Sequence, residues 1–328
     1  MKQIKYIGLD AHSSTCTFSV IDSNGIQLDN KTIVTNGRLL IDYIKSLGGT
    51  LHLALEECEL SFWLFDIFKK HVTTIIVADP TENVQYKRVK TDKLDAYNLA
   101  NLLRGKYLKP VFHNGSDREK LRMLISSYND LNQEIVRIKN RMKSIKRRTR
   151  ALTKRDLTDH ASFIYEHLQS QLLQLLETKN TYTKKLIKHI RQFKETFYLN
   201  TIPGIAFIHA AIIIAQVIDP NRFSNKYKFF SYCGLVKHQR QSGGRNYGSK
   251  KIWGNRMLKC VYKRAAQSAI RSNSAFNCLY SHLRNKGLSE KNAHNAIARK
   301  IAVLSLTLWR NQQCFRNEII LENLPVED

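Results

Sequence analysis

Acidic side chains are scarce in this chain: 27 Asp+Glu stand against 53 Lys+Arg, a net charge of +26 over 328 residues. From residue 220 to residue 289 there are none, against fifteen Lys/Arg. That stretch cannot supply carboxylate metal ligands, and phosphate contact is its natural role. A positive surplus of this size points to a polyanionic partner. Chromatin-like packing proteins carry similar charge with low complexity and few apolar residues, whereas 43% of this chain is apolar. The six cysteines (Cys16, Cys58, Cys233, Cys260, Cys278, Cys314) form no C-x-x-C pair. That excludes a zinc ribbon and a secreted disulfide framework, and it fits a reducing interior. No apolar run is long enough for a bilayer; the longest, Ile205 to Ile218, contains His209. The N-terminus runs straight into a strand pattern, with no signal peptide evident. The expected location is the cytoplasm, on the nucleoid when the protein acts. Proline is missing between Pro110 and Pro203, and the only glycine between them is Gly115. Long unbroken helices are therefore expected there.

The first 110 residues have α/β character. Ile4–Leu9 is an apolar run ending in Asp10, Cys16–Ile21 alternates, and Asn24-Gly25 is a hairpin turn signal. Ile26–Val34 gives a third strand. Leu39–Leu47 has helical spacing and stops at Gly48-Gly49. Leu51–Leu55 is a buried strand, Phe62–Lys70 a helix, and Val72–Ala78 another strand. Three strands joined by turns, then alternating helix and strand, is the order of an RNase H-like domain; the antiparallel start argues against a generic doubly wound fold. Downstream, Leu121, Leu124, Tyr128, Leu131, Ile135, Ile138, Met142 and Ile145 keep 3-4 spacing, a heptad seam. Ile164 to about Phe197 repeats it through Leu168, Leu172, Leu175, Tyr182 and Leu186. Two long helices with a turn near Thr158–Ser162 form an antiparallel hairpin, whose seam either closes on itself or also dimerises the protein. After residue 200 the pattern is short helices with glycine-rich breaks. Ile202-Pro203-Gly204-Ile205 looks like a helix-hairpin-helix turn, phosphate-binding or purely structural, and the tail after Glu318 is expected to fray.

Four acids stand out against the basic background. Asp10 closes the first strand and Glu56 closes a later one. Asp92 and Asp95 lie three apart at a helix start, on one face, with Thr91 as N-cap. Such acids can be simple caps. Brought together, they would repel one another and raise each other's pKa. A pair of Mg²⁺ ions about 4 Å apart removes that cost and polarises a phosphate; Mn²⁺ is the alternative ion. Glu57 is the rival to Glu56, on the other side of the strand.

The bases cluster as well. Residues 135–155 hold ten Lys/Arg and no acid, among them Arg141, Arg147, Arg148 and Arg150, near the end of the first long helix. Solvated charge faces usually mix signs, so a one-signed stripe favours phosphate contact. Lys87, Arg88 and Lys90 precede the paired aspartates, and Lys250, Lys251 and Arg256 lie in the acid-free stretch; all are nucleic-acid contact candidates. In that stretch the segment Gln239-Arg240-Gln241-Ser242-Gly243-Gly244-Arg245 is either a plain polar loop or a phosphate site. The glycines give backbone room, and Arg240 and Arg245 can clamp phosphate oxygens. Ser242 has no His/Asp partner nearby in sequence, so a metal or the phosphate must assist its deprotonation.

Ile7-Gly8-Leu9-Asp10, Leu53-Ala54-Leu55-Glu56 and Lys90-Thr91-Asp92-Lys93-Leu94-Asp95-Ala96 resemble the DEDD motifs of the IS-one-ten group of insertion-sequence transposases. Ile202-Pro203-Gly204-Ile205, Gly234-Leu235, Gln241-Ser242-Gly243 and Gly254-Asn255-Arg256-x-Leu258 resemble that group's C-terminal transposase domain. The resemblance implies a RuvC-like domain over residues 1–112, a coiled-coil hairpin over 113–198 and a mainly α transposase domain over 199–328. It implies that Asp10, Glu56, Asp92 and Asp95 bind Mg²⁺ and that Ser242 links covalently to a DNA 5′ end. It also implies target and donor duplex DNA as partners, a structured non-coding RNA pairing with both, and a homodimer that assembles into a tetramer. The group includes Piv-type DNA invertases, which share the acids and the serine. The alternatives are such an invertase without guide RNA, a RuvC-type nuclease using metal-activated water, and a non-catalytic nucleic-acid scaffold.

Overall fold

The structure, a computed structural model, describes residues 3–81, 91–149, 158–251, 254–272 and 274–322. It divides into two compact units, one ending at Gly115 and the other beginning at Ser116.

The first unit is a mixed sheet with helices on both faces. Its elements are β1 (Ile4–Ala11), β2 (Thr15–Ile21), β3 (Gln27–Val34), α1 (Gly37–Leu47), β4 (Thr50–Glu56), α2 (Ser61–Phe68), β5 (Thr74–Ala78), α3 (Asp92–Arg104) and β6 (Pro110–Val111). The strand order is β3-β2-β1-β4-β5-β6. β1 runs antiparallel to β2 and parallel to β4, so it is a central strand. This is the order expected of an RNase H-like sheet, with the short β6 added antiparallel on β5.

Alternation along β1 sorts its side chains between the faces. Ile7 and Leu9 are fully buried with Leu40, Ile44, Leu64 and Phe68 of α1 and α2. On the opposite face Ala54 and Ala78 meet Leu99 and Leu103 of α3. Gly8 faces that side, and it decides how close α3 comes. A Cβ on Gly8 would lie 1.9 Å from the carbonyl oxygen of Ala96 and 2.6 Å from the amide nitrogen of Ala100. The helix backbone therefore rests directly on the strand, and only glycine admits it.

The second unit is helical except for one ribbon. It comprises α4 (Asp117–Thr149), α5 (Asp159–Ile190), α6 (Lys194–Asn200), α7 (Phe207–Val217), α8 (Lys226–Tyr232), β7 (Lys237–Ser242), β8 (Arg245–Lys251), α9 (Arg256–Arg271), α10 (Ala275–Asn285), α11 (Glu290–Asn311) and α12 (Glu318–Leu321). α4 and α5 pack together in opposite directions: Lys179 sits over Tyr128 and Lys146 over Tyr165. The predicted seam of α4 is buried at Leu121, Tyr128, Leu131, Ile135 and Ile138, but Ile125 fills the next position rather than Leu124. The predicted turn at Thr158–Ser162 is not where the structure places one. Thr158 is the N-cap position of α5 and Asp159–Ser162 its first turn, and α5 stops at Ile190 instead of continuing to Phe197.

The base of this helix pair shares a core with the C-terminal helices: Leu121, Ile125, Leu186 and Ile190 join Ile214, Phe229, Tyr262 and Ile301. Gly204 (φ +86°) presses against α9, where a Cβ would meet the carbonyl oxygen of Ala265 at 2.1 Å. The Ile202–Ile205 turn thus has a packing reason for its glycine. The tail after Glu318 does not begin frayed, because α12 docks through the buried Ile320. Among the described residues no helix is long and apolar enough to cross a membrane, and all six cysteines are free thiols.

Candidate active site

Three side chains of the first unit converge above the contact between β1 and α3. Ligand atoms of Asp10, His12 and Asp92 all lie within 4.8 Å of one another. The His12 Nε2 is 3.3 Å from Asp10 Oδ2 and 3.8 Å from Asp92 Oδ1. Asp10 arrives at the end of β1, and His12 in the tight turn that leads to β2. Asp92 is the first residue of α3, where Thr91 caps the helix by accepting a hydrogen bond from the Leu94 amide (3.3 Å).

The flanking acids sit on the same side. β1 and β4 pair Gly8 with Ala54 and Leu9 with Leu55. One further step in this register sets Glu56 beside Asp10, on the α3 face. Asp95 lies one turn along α3 from Asp92 and adds to the charge that Asp10 feels. Neither Glu56 nor Asp95 joins the tight three-residue group among the described residues. Glu57 has the opposite orientation: its carboxylate lies 2.6 Å from the Nε2 of the buried His113. That pairing ties Glu57 to the side of the strand away from Asp10.

Asp10 is held above the usual carboxylate range. Burial is the largest cause, His12 opposes it, and Asp92 and Asp95 add to it. Repulsion from the neighbouring acids raises Asp10 as expected, and desolvation at the strand end contributes more. The donor set of two carboxylates and an imidazole suits a divalent cation, and the nearby acids make the surroundings oxygen-rich, as Mg²⁺ or Mn²⁺ require. His12 was not legible as a site residue. Its only signal is the spacing Asp10-x-His12, and its proximity to Asp92 depends on a helix eighty residues later.

Gly8 is the hinge of this arrangement, and it carries a prediction. Gly8→Val should push α3 off β1, costing about 1–3 kcal/mol as overpacking and withdrawing Asp92 from Asp10. The melting temperature should fall, and divalent cations should no longer raise it. A variant that melts like the parent and still responds to metal would contradict this role for Gly8.

In the second unit, Ser242 ends β7 and pairs across to Arg245 at the tip of the two-stranded ribbon. The expected polar loop is instead a tight hairpin turn, with Gly243 (φ +54°) and Gly244 (φ +76°) at its centre. A Cβ on either glycine would meet nothing within 4 Å. Ser242 is exposed, and its hydroxyl has no hydrogen-bond partner among the described residues. The base of the ribbon is clamped. Gly254 packs on Gly234, and a Cβ there would meet the Gly234 nitrogen at 2.5 Å. Asn255 caps α9 by accepting from the Leu258 amide (3.0 Å) and donates to Gln216 Oε1 (2.6 Å). Leu258 is fully buried. The Gly254-Asn255-Arg256-x-Leu258 motif is thus the anchor of the ribbon that carries the serine.

Of the basic candidates, Arg141, Arg147, Arg148, Arg245 and Arg256 are solvent-exposed, as phosphate contact requires. Lys87, Arg88, Lys90 and Arg150, and the side chains of Arg240, Lys250 and Lys251, lie outside the described residues.

Comparison with known families agrees with both halves. Residues 7–149 match a transposase model of the DEDD IS110 type, and residues 197–281 match the Transposase IS116/IS110/IS902 family. The first match takes in Asp10, Glu56, Asp92 and Asp95, and the second takes in Ser242. No curated protein matches the chain.

Proposed function

Because the chain belongs to the IS110-family DEDD transposases and is a DNA transposase of an insertion sequence, we propose that it exchanges DNA strands through a covalent serine–DNA intermediate. The observation that carries this reading is that the same chain holds a group of Asp10, His12 and Asp92 within 4.8 Å and an exposed serine on a basic ribbon inside an acid-free stretch. Ser242 Oγ attacks the scissile phosphorus. A Ser–O–P bond forms to the DNA 5′ end, the P–O3′ bond breaks, and the departing O3′ takes up a proton. The serine proton passes to a phosphate oxygen or to a carboxylate of the acid cluster. Rejoining reverses these steps, with a 3′-hydroxyl of the new partner strand attacking the phosphoserine. One phosphodiester is exchanged for another, so no ATP is needed.

Asp10, Glu56, Asp92 and Asp95, with His12, would hold Mg²⁺ or Mn²⁺. When bound, the ion supplies charge neutralisation among the acids and polarisation of the phosphate. Arg245 and Arg256, with Arg240, Lys250 and Lys251, hold the DNA backbone around the serine. The basic stretch at the far end of α4, through Arg141, Arg147, Arg148 and Arg150, holds it elsewhere, as do Lys87, Arg88 and Lys90. The helix pair is proposed as a coiled-coil segment (113–198) between the RuvC-like (1–112) and serine-bearing (199–328) segments. In this scheme acids and serine meet across protomers of a dimer that pairs into a tetramer. Cutting then waits for synapsis, because neither half is competent alone.

His12 gives a direct test of the ligand set. An imidazole nitrogen favours Mn²⁺ over Mg²⁺ relative to carboxylates alone. His12→Ala should weaken Mn²⁺ binding by about 10-fold and Mg²⁺ binding less, read by calorimetric titration. Unchanged titrations with both ions would remove His12 from the site.

A structured non-coding RNA is proposed as the guide that names target and donor. Sequencing the nucleic acid that copurifies when the gene is expressed with its native flanks tests this part. A discrete RNA mapping to a flank is the expected result. Heterogeneous RNA only would reject the guide and favour an invertase that reads its DNA through protein.

A further inference from the structure

The second unit contains a cleft of about 760 Å³ that the serine chemistry does not use. It lies where α4 meets α7, α9 and the middle of α5. Among the described residues Arg137, Lys139, Lys179 and Arg264 line it, and no carboxylate does. The amides of Asn129 and Gln133 line it too, as do the apolar side chains of Ile212 and Met257. His209 completes the set. Its Nδ1 donates to the Gly204 carbonyl (3.0 Å), which leaves Nε2 as an acceptor. Burial keeps this ring below the usual histidine range, so it is neutral at physiological pH.

We infer that this cleft binds an unpaired segment of nucleic acid, with phosphates on the four cations and bases against the amide and apolar side chains. The argument is one of complementarity. Cations without acids select an anion. A simple phosphate would not use the apolar surface or the amides, whereas a nucleobase has both an apolar face and a hydrogen-bonding edge. The amides and the neutral imidazole offer donors and acceptors together, as a base edge requires. A duplex is a poor occupant, because it presents its phosphate ridges outward and keeps its base faces stacked inside. The volume matches sites for small organic groups, large enough for one or two extruded nucleotides. The inference takes from the proposed function only that nucleic acid is at hand. It is tested by binding alone, so loss of strand exchange would neither support nor remove it.

The test uses the full-length protein with fluorescent octathymidylate, octauridylate and a mixed-sequence duplex, read by anisotropy. Lys179→Glu combined with Arg264→Glu should weaken single-strand binding by about 10-fold or more and leave duplex binding within about twofold. A second variant, Asn129→Ala with Gln133→Ala, keeps the charge and should weaken single strands only. The parent preferring the uridylate would identify the occupant as RNA, and the thymidylate as displaced DNA; either supports the cleft. Photo-crosslinking of 5-iodouracil oligonucleotides should map to peptides of α4 or α9. Equal losses for single strands and duplex, or crosslinks confined to other elements, would overturn the inference.

Discussion

Ser242→Ala should abolish strand exchange, by at least about 10³-fold, without weakening the fold. The hydroxyl is exposed at a ribbon tip and has no hydrogen-bond partner among the described residues. Its loss removes nothing from a core, and surface changes of this kind are worth within about 0.5 kcal/mol. The two quantities separate chemistry from structure. A plasmid assay with the element's ends reads strand exchange, and a thermal melt reads the fold. DNA binding should also persist, because Arg245 and Arg256 are untouched. Full strand exchange by the variant would show that Ser242 is not the nucleophile, and cleavage without rejoining would favour a RuvC-type nuclease using metal-activated water.

Asp10→Asn should lower strand exchange by at least about 100-fold while leaving the metal-free protein as stable as the parent or more so. The sign follows from the raised pKa. In the fold, burial disfavours the ionised Asp10 relative to the unfolded chain. Its contribution to stability is therefore fully present below the ordinary carboxylate pKa and is lost as pH rises through the folded value. The difference in melting temperature between variant and parent, measured without metal, should widen in favour of the variant as pH climbs past the carboxylate range. Added Mg²⁺ or Mn²⁺ should raise the parent's melting temperature and not the variant's, since a ligand that binds only the folded state stabilises it by mass action. A metal-free variant that melts well below its parent would mean that Asp10 is a structural cap and not a metal ligand.

Much of the first unit is legible in the sequence because its signals are local. Ile7-Gly8-Leu9-Asp10 alternates across a sheet, Leu51–Leu55 is apolar enough for a central strand, and Thr91 with Asp92 and Asp95 marks a helix start. The order of these elements is sufficient to place acids at strand ends. What stays hidden is their convergence. His12 joins the group only because Gly8 lets α3 lie on β1, and no window of sequence contains both contacts. Strand alternation separates Glu57 from Glu56, but its partner His113, fifty-six residues away, is not visible in the sequence.

The second unit hides different things. Lys237–Ser242 and Arg245–Lys251 carry no apolar face, because a two-stranded ribbon outside the main core has none to bury. The period-two pattern that betrays a strand is therefore absent, and the segment resembles a loop. Gly234 and Gly254 show as isolated glycines, yet they form one contact. The start of α5 is hidden for a related reason: Thr158–Ser162 has turn-like composition, but Thr158 is a cap and Asp159 begins a helix. The apolar positions of α4 were nearly right, and the slip from Leu124 to Ile125 follows from the helix entering the C-terminal core at its base.

In the proposed chemistry the serine ribbon and the acid cluster together perform phosphodiester exchange on DNA. The most direct measurement is mass spectrometry of the protein after incubation with its element-end DNA and Mg²⁺, quenched in denaturant and digested with nuclease and protease. The expected result is a nucleotide joined through phosphate to the peptide containing Ser242, absent in Ser242→Ala and lost or strongly reduced in Asp10→Asn. Cleaved DNA with no protein adduct, formed equally by the Ser242→Ala variant, would contradict it.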